Sequence, residues 1–171
     1  MQATDDSQLD QNDEIPVRRP VDAWLGNYSE DHRNPTNILI HWICVPAILL
    51  TVIAGLWAVP VPAMVGRPGL WAAVAMFFAF AFYMRLSRAL ALSMFVVFAA
   101  FGLISEALYR SVGPTALWQI ALGVFVIAWI AQFVGHKIEG KKPSFLTDLA
   151  YLLIGPLWLA AKVMRRLGMS Y

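Results

Sequence analysis

From residue 38 onward the sequence is a succession of apolar runs long enough to cross a bilayer, and this restricts the fold more than any other feature. Hydrocarbon offers the backbone no hydrogen-bond partner, so a spanning segment must close its own ladder as a helix or a barrel. A spanning helix needs about 20 mostly apolar residues. Four runs meet or approach that length: 38–59, 69–84, 89–109 and 115–134. The second is short but extends back to Gly66. A fifth, 145–164, is weaker, with Asp148 near its start, Gly155-Pro156 in its middle and Lys162 near its end. Hydrophobic residues make up 59% of the 171, against about 45–50% in ordinary soluble domains. The expected fold is an all-α integral membrane protein. Four spanning helices form the bundle, with a fifth C-terminal helix that is kinked, interfacial or spanning. Residues 1–23 are polar and predict a disordered arm, leaving 24–171 as the membrane-embedded helical domain.

The punctuation between runs agrees with this division. Asn34-Pro35-Thr36-Asn37 offers a turn and a capping side chain before the first run. Val59-Pro60-Val61-Pro62 stops it. Only Arg85-Leu86-Ser87-Arg88 separates the second run from the third, which predicts a tight helical hairpin. The N-terminal residues lack the basic start and apolar core of a secretory signal, so the first internal run is expected to direct insertion. The single cysteine, Cys44, excludes an intramolecular disulfide and is expected to pack as a small hydrophobe. No segment reads as a nucleic-acid motif or a phosphate loop, so no nucleic-acid partner is expected.

Lysine and arginine placement predicts orientation. The arm carries Arg18, Arg19 and Arg33; the second loop Arg85 and Arg88; the fourth Lys137, Lys141 and Lys142. These eight share one side of a four-span bundle, against Arg67 and Arg110 on the other. The positive-inside rule puts the arm in the cytoplasm. If the fifth segment does not span, Lys162, Arg165 and Arg166 join the same side, where they suit anionic lipid headgroups. Elsewhere, Glu106 and Arg110 stand four apart on one helix face, spaced to pair. Trp42, Trp57, Trp71 and Trp118 near run ends read as an interfacial belt.

The same counting places the only three histidines at one face. His32 precedes the first run, His41 lies one turn inside it, and His136 follows the fourth. Histidine at membrane depth is rare and commonly functional. Asn37 stands four residues before His41, spaced to orient the imidazole. Gln132, His136 and Glu139 share one face of a helix end. His32 by itself reads as a surface residue; its interest lies in its company. Neutral imidazoles suit iron, zinc, copper and nickel, and histidines with a carboxylate suggest non-haem Fe(II). Glu139, Asp31 or Asp148 could complete such a set. Without an HExxH or CxxC motif, spacing alone does not name the metal.

Two blocks resemble a known family. Tyr28, His32, Asn37, His41 and Pro46 in YSEDHRNPTNILIHWICVP fit one pattern. WIAQFVGHKIEGKKPSFLTDL fits a Gln-Phe-x-Gly-His core with a following Lys-Pro. Together they resemble the Mpo-like family, formerly domain of unknown function 962, over roughly residues 24–168. The resemblance implies a membrane-embedded Fe(II)-dependent dioxygenase of α-oxidation. Its substrates would be a 2-hydroxy fatty acid and O2, and its product the acid one carbon shorter. It implies His32, His41 and His136 as catalytic iron ligands. Glu139, Asn37, Gln132 and Asp148 would be further ligands or groups that orient one. Lys137, Lys141, Lys142 or Arg33 would steer the substrate carboxylate. The membrane would be the inner or plasma membrane of a bacterium or the endoplasmic reticulum of a eukaryote. Two positions depart from the pattern: Cys44 stands where glycine is expected, and Lys162 where many members carry a carboxylate. Three other readings stay open. These are a haem bundle with His41 and His136 as axial ligands, a zinc hydrolase, and a non-enzymatic scaffold or transport protein; the dioxygenase reading, like these, leaves room for a homo-oligomer.

Overall fold

The computed structural model describes residues 19–171. Their regular structure is all helical, with no strand among them. The helices are α1 (Pro20–Glu30), α2 (Pro35–Ala58), α3 (Leu70–Leu86), α4 (Arg88–Glu139) and α5 (Tyr151–Arg166). A 3-10 turn, Ser144–Leu146, precedes α5.

Helix α1 has no counterpart among the apolar runs. Of the arm expected at 1–23, residues 1–18 lie outside the described residues, while 20–23 form the first turn of α1. Pro20 starts the helix where a missing N–H costs nothing. Val21, Leu25 and Tyr28 then fall on one face and are all buried. That face packs on α5, with Trp24 meeting Tyr151 edge-on at 5.0 Å.

Helix α2 begins at Pro35, three residues before the apolar run. Asn34 caps it, its Oδ1 accepting from the Thr36 and Asn37 amides at 2.9 and 3.4 Å. Helix α3 and α4 form the expected hairpin, with Ser87 as the single residue between them. The third and fourth runs merge into α4, but Gly113 adopts φ 80° and ψ 168° just before Pro114. The chain reverses there. Trp57 near the end of α2 touches Glu106, while Ala54 and Ala58 pack against Leu117 and Ala121. At the other end, Met94 lines a groove with Trp42 and Val45, and Asn37 touches Glu139. Residues 88–112 therefore run parallel to α2 and 114–139 antiparallel to it. The bundle keeps its four long rods.

At the end away from the histidines, Trp57 donates to Glu106 at 2.9 Å, and Glu106 pairs with Arg110 at 2.5 Å as its spacing predicts. The Trp57 indole lies flat against Gly69, which has φ 87°. A Cβ there would stand 2.5 Å from the ring, in a backbone region that side chains avoid. Gly69→Ala is therefore expected to destabilise the fold by about 1–3 kcal/mol. Thermal unfolding in detergent measures it, with Gly26→Ala as the control because open space surrounds that position in α1.

Helix α5 is shorter than the fifth run and starts six residues later. It keeps to the histidine end: Gly155 approaches Val45 and Tyr28, and Arg166 lies over the Trp42 ring. Cys44 is buried and free. The outward faces are strongly apolar, with Ile43 65%, Phe78 67%, Leu103 74% and Ile127 69% exposed. Helices α2 and α4 are long and apolar enough to cross a membrane; α3 is an apolar helix of 17 residues.

Candidate metal centre

The three histidines come from three elements and meet at one end of the bundle. His32 lies in the turn after α1, His41 two turns into α2, and His136 in the last turn of α4. All three are buried. Their ring centroids are 4.3 Å apart for His32–His41 and 5.0 Å for each pair with His136. One ring nitrogen from each lies within 4.8 Å of the other two.

Local backbone fixes two of the rings. His32 Nδ1 lies 2.6 Å from the Tyr28 carbonyl oxygen, and His41 Nδ1 2.9 Å from that of Asn37. A carbonyl only accepts, so each Nδ1 carries the proton and each Nε2 presents a lone pair. Those two Nε2 atoms face one another at 3.1 Å. Burial also pushes His32 down to about 4, so that ring is neutral near pH 7. Opposed lone pairs at this distance repel unless a cation lies between them. Two imidazole nitrogens bound at about 2.1 Å and at right angles to one ion stand about 3 Å apart. His136 Nδ1 is buried with no hydrogen-bond partner among the described residues. Such an orphan is unusual in a folded protein and is satisfied by an ion or water. The donor set and its geometry therefore fit a metal held by imidazoles. Rings this close leave no gap for a porphyrin.

A second layer of contacts holds the ligand-bearing elements together. The Glu139 carboxylate accepts from the Arg33 amide at 3.0 Å, the Asn34 amide at 2.8 Å and Asn37 Nδ2 at 3.0 Å. It thus ties the end of α4 to the start of α2, where the helix dipole favours an anion. Both its oxygens are engaged in positioning the backbone. Asn37 is wholly buried, and it holds His41 through its main-chain carbonyl, where the spacing had suggested its side chain. Gly135 makes room for it: a Cβ there would stand 2.4 Å from Asn37 Oδ1. Asp31 closes the other side, accepting from Ser144 Oγ at 2.8 Å and from Lys141 Nζ at 3.2 Å.

Other expected residues are placed differently. Asp148 is not brought to the histidines; it is exposed and accepts from the Ala150 amide at 2.8 Å, just ahead of α5. Lys141 is occupied by Asp31 and the Glu30 carbonyl. Lys137, Lys142 and Arg33 are exposed and line no cavity beside the histidines. Gln132 is buried, lines that cavity, and makes no hydrogen bond to a histidine. Lys162, one of the two departures from the family pattern, lies 3.9 Å above the Trp158 ring. Sequence reasoning left out the aromatic packing. Tyr28 stacks on His32 at 4.1 Å, and Trp158 meets Tyr28 edge-on at 5.3 Å while donating to Ser29 Oγ. Burial raises the Tyr28 phenol above its ordinary value, so it stays protonated. The four-residue spacing of Tyr28 and His32 was its signal.

A cavity of about 110 Å³ adjoins the histidines. His41, His136, Gln132, Tyr28 and Ser144 are among its polar lining, and Ile48, Val52 and Leu152 among its apolar lining, the last two also exposed on the apolar surface.

A family model described as "2-hydroxy-palmitic acid dioxygenase Mpo1-like" matches residues 19–167. The chain belongs to this Mpo1-like family. Within the match lie all three histidines, the Glu139 clamp and the cavity wall. A curated relative, "2-hydroxy-palmitic acid dioxygenase MPO1" of Saccharomyces cerevisiae, is 29% identical over 146 residues, covering 84% of this chain and 79% of its own. No solved structure matches the chain.

Proposed function

We propose that this chain is an iron-dependent dioxygenase that shortens 2-hydroxy fatty acids by one carbon, using O2, at the surface of a membrane. The carrying observation is the convergence of three buried imidazoles with opposed Nε2 lone pairs 3.1 Å apart. Family membership supplies the reaction class, since the yeast relative is a 2-hydroxy-palmitic acid dioxygenase.

His32, His41 and His136 would hold the iron. Bound there, Fe(II) supplies open positions at which O2 and the substrate's oxygen atoms can be activated together. The Tyr28 and Asn37 carbonyls keep the His32 and His41 rings in the tautomer that leaves Nε2 bare. The aromatic stack of Tyr28 and Trp158 excludes water behind His32. The cavity takes the polar head of the acid, and the path past Ile48, Val52 and Leu152 lets its tail remain among lipid. With C1 leaving as carbon dioxide, R–CH(OH)–COOH + O2 gives R–COOH + CO2 + H2O, which closes without another reductant.

The apolar outward faces support a bundle whose long rods cross the bilayer, with the histidines at the cytoplasmic end beside the basic loops. Helix α5 would lie at that interface. Incubating the purified protein with 2-hydroxypalmitate, Fe(II) and O2 tests the reading. The expected product is the fifteen-carbon acid, formed only with O2 present. Recovery of unchanged substrate under those conditions overturns it.

A further inference from the structure

No lysine or arginine lines the cavity beside His41 and His136. The substrate acid nevertheless carries a carboxylate and a hydroxyl that must leave water to enter. Neutral polar side chains stand in the wall instead: Gln132, Tyr28, Tyr151, Trp129 and Ser144, the last of which donates to Asp31. Gln132, on α4 one turn before His136, is 8% exposed and makes no hydrogen bond among the described residues. With no protein partner and some residual accessibility, the amide is open to hydrogen-bond a ligand that enters the cavity. Tyr28, on α1, is 6% exposed, and its hydroxyl likewise has no partner among the described residues. Room is made for that hydroxyl by Gly155, where a Cβ would stand 3.0 Å from Tyr28 Oη. The cavity between them is of head-group size, about 110 Å³.

We propose that the Tyr28 hydroxyl and the Gln132 amide hydrogen-bond the polar head of the 2-hydroxy acid and set the preference for it over the plain fatty acid. The inference rests on the reading of substrate class given above. Gln132 can donate to a carboxylate oxygen and accept from the 2-hydroxyl, and Tyr28 can do either. Lacking the hydroxyl, a plain acid leaves one of these buried groups unpaired, which is how a polar site rejects a close analogue.

The test separates binding from turnover. The full-length protein in detergent is loaded with Zn(II), which imidazoles also accept and which carries no redox chemistry. Tryptophan fluorescence then reports titration with 2-hydroxypalmitate or palmitate. The wild type is expected to bind the hydroxy acid more tightly. Tyr28→Phe and Gln132→Met are each expected to weaken 2-hydroxypalmitate about tenfold. Palmitate, which has the carboxylate but not the hydroxyl, should weaken less, so that the preference narrows, and zinc content should stay as in the wild type. Variants that keep the full preference overturn the proposal, and so does a loss of zinc, which would make these residues part of the metal site. A zinc-loaded wild type with no preference sinks this proposal and the substrate reading together. Loss of preference in the variants alongside an absence of O2-dependent cleavage in the iron form would leave the recognition standing and remove only the reaction.

Discussion

His136→Ala is expected to abolish O2-dependent consumption of 2-hydroxypalmitate while the helical bundle survives. Outer groups that orient a metal ligand cost about 10–100-fold when removed, and a ligand should cost more than that. Folding should tolerate the change, because His136 lies in the last turn of α4 and its Nδ1 already lacks a partner. Removing it leaves no donor orphaned behind it. His41→Ala is expected to match it in activity, although that variant also frees the Asn37 carbonyl. Circular dichroism and thermal unfolding read the fold, and O2 uptake reads the activity. Activity within tenfold of the wild type in His136→Ala would exclude the imidazole from the reacting centre.

Glu139→Ala is expected to produce the second largest effect, by a different route. Its carboxylate accepts from two backbone amides and from Asn37 Nδ2, and through Asn37 it sets where His41 stands. Loss of this clamp should lower metal affinity about 10–100-fold. Stability should fall by about 1–3 kcal/mol, since water can reach the freed Arg33 amide but not the wholly buried Asn37 side chain. Glu139→Gln keeps a carbonyl acceptor and should fall between the two. Competition against a chelator measures the affinity. If Glu139→Ala bound metal as tightly as the wild type, the clamp would have no part in holding the site.

Much of this arrangement was legible in the residues. Apolar run lengths located the long rods, and the Gly113-Pro114 step that reverses α4 falls between the third and fourth runs. The convergence of the histidines followed from counting crossings, because four crossings, an even number, return the chain to the end at which it started. Helix α1 was missed because its apolar stripe, Val21, Leu25 and Tyr28, is thin and set among charges. The roles of Asn37 and Glu139 were half legible. Their spacing put them beside the histidines, but which atom does the work depends on backbone groups that side-chain spacing does not encode. His41 is held by a main-chain carbonyl, and Glu139 binds main-chain amides. Asp148 stands apart from the histidines because the fifth run opens with a 3-10 turn ahead of α5, and the carboxylate there accepts from the Ala150 amide.

The most direct measurement is the metal content of protein purified without oxygen, for the wild type and for the variant with His32, His41 and His136 all replaced by alanine. The expected result is about one iron per wild-type chain and none in the triple variant, with no haem absorption in either. Equal iron in both proteins, or a wild type that carries zinc in its place, would contradict the assignment of these three histidines to an iron centre.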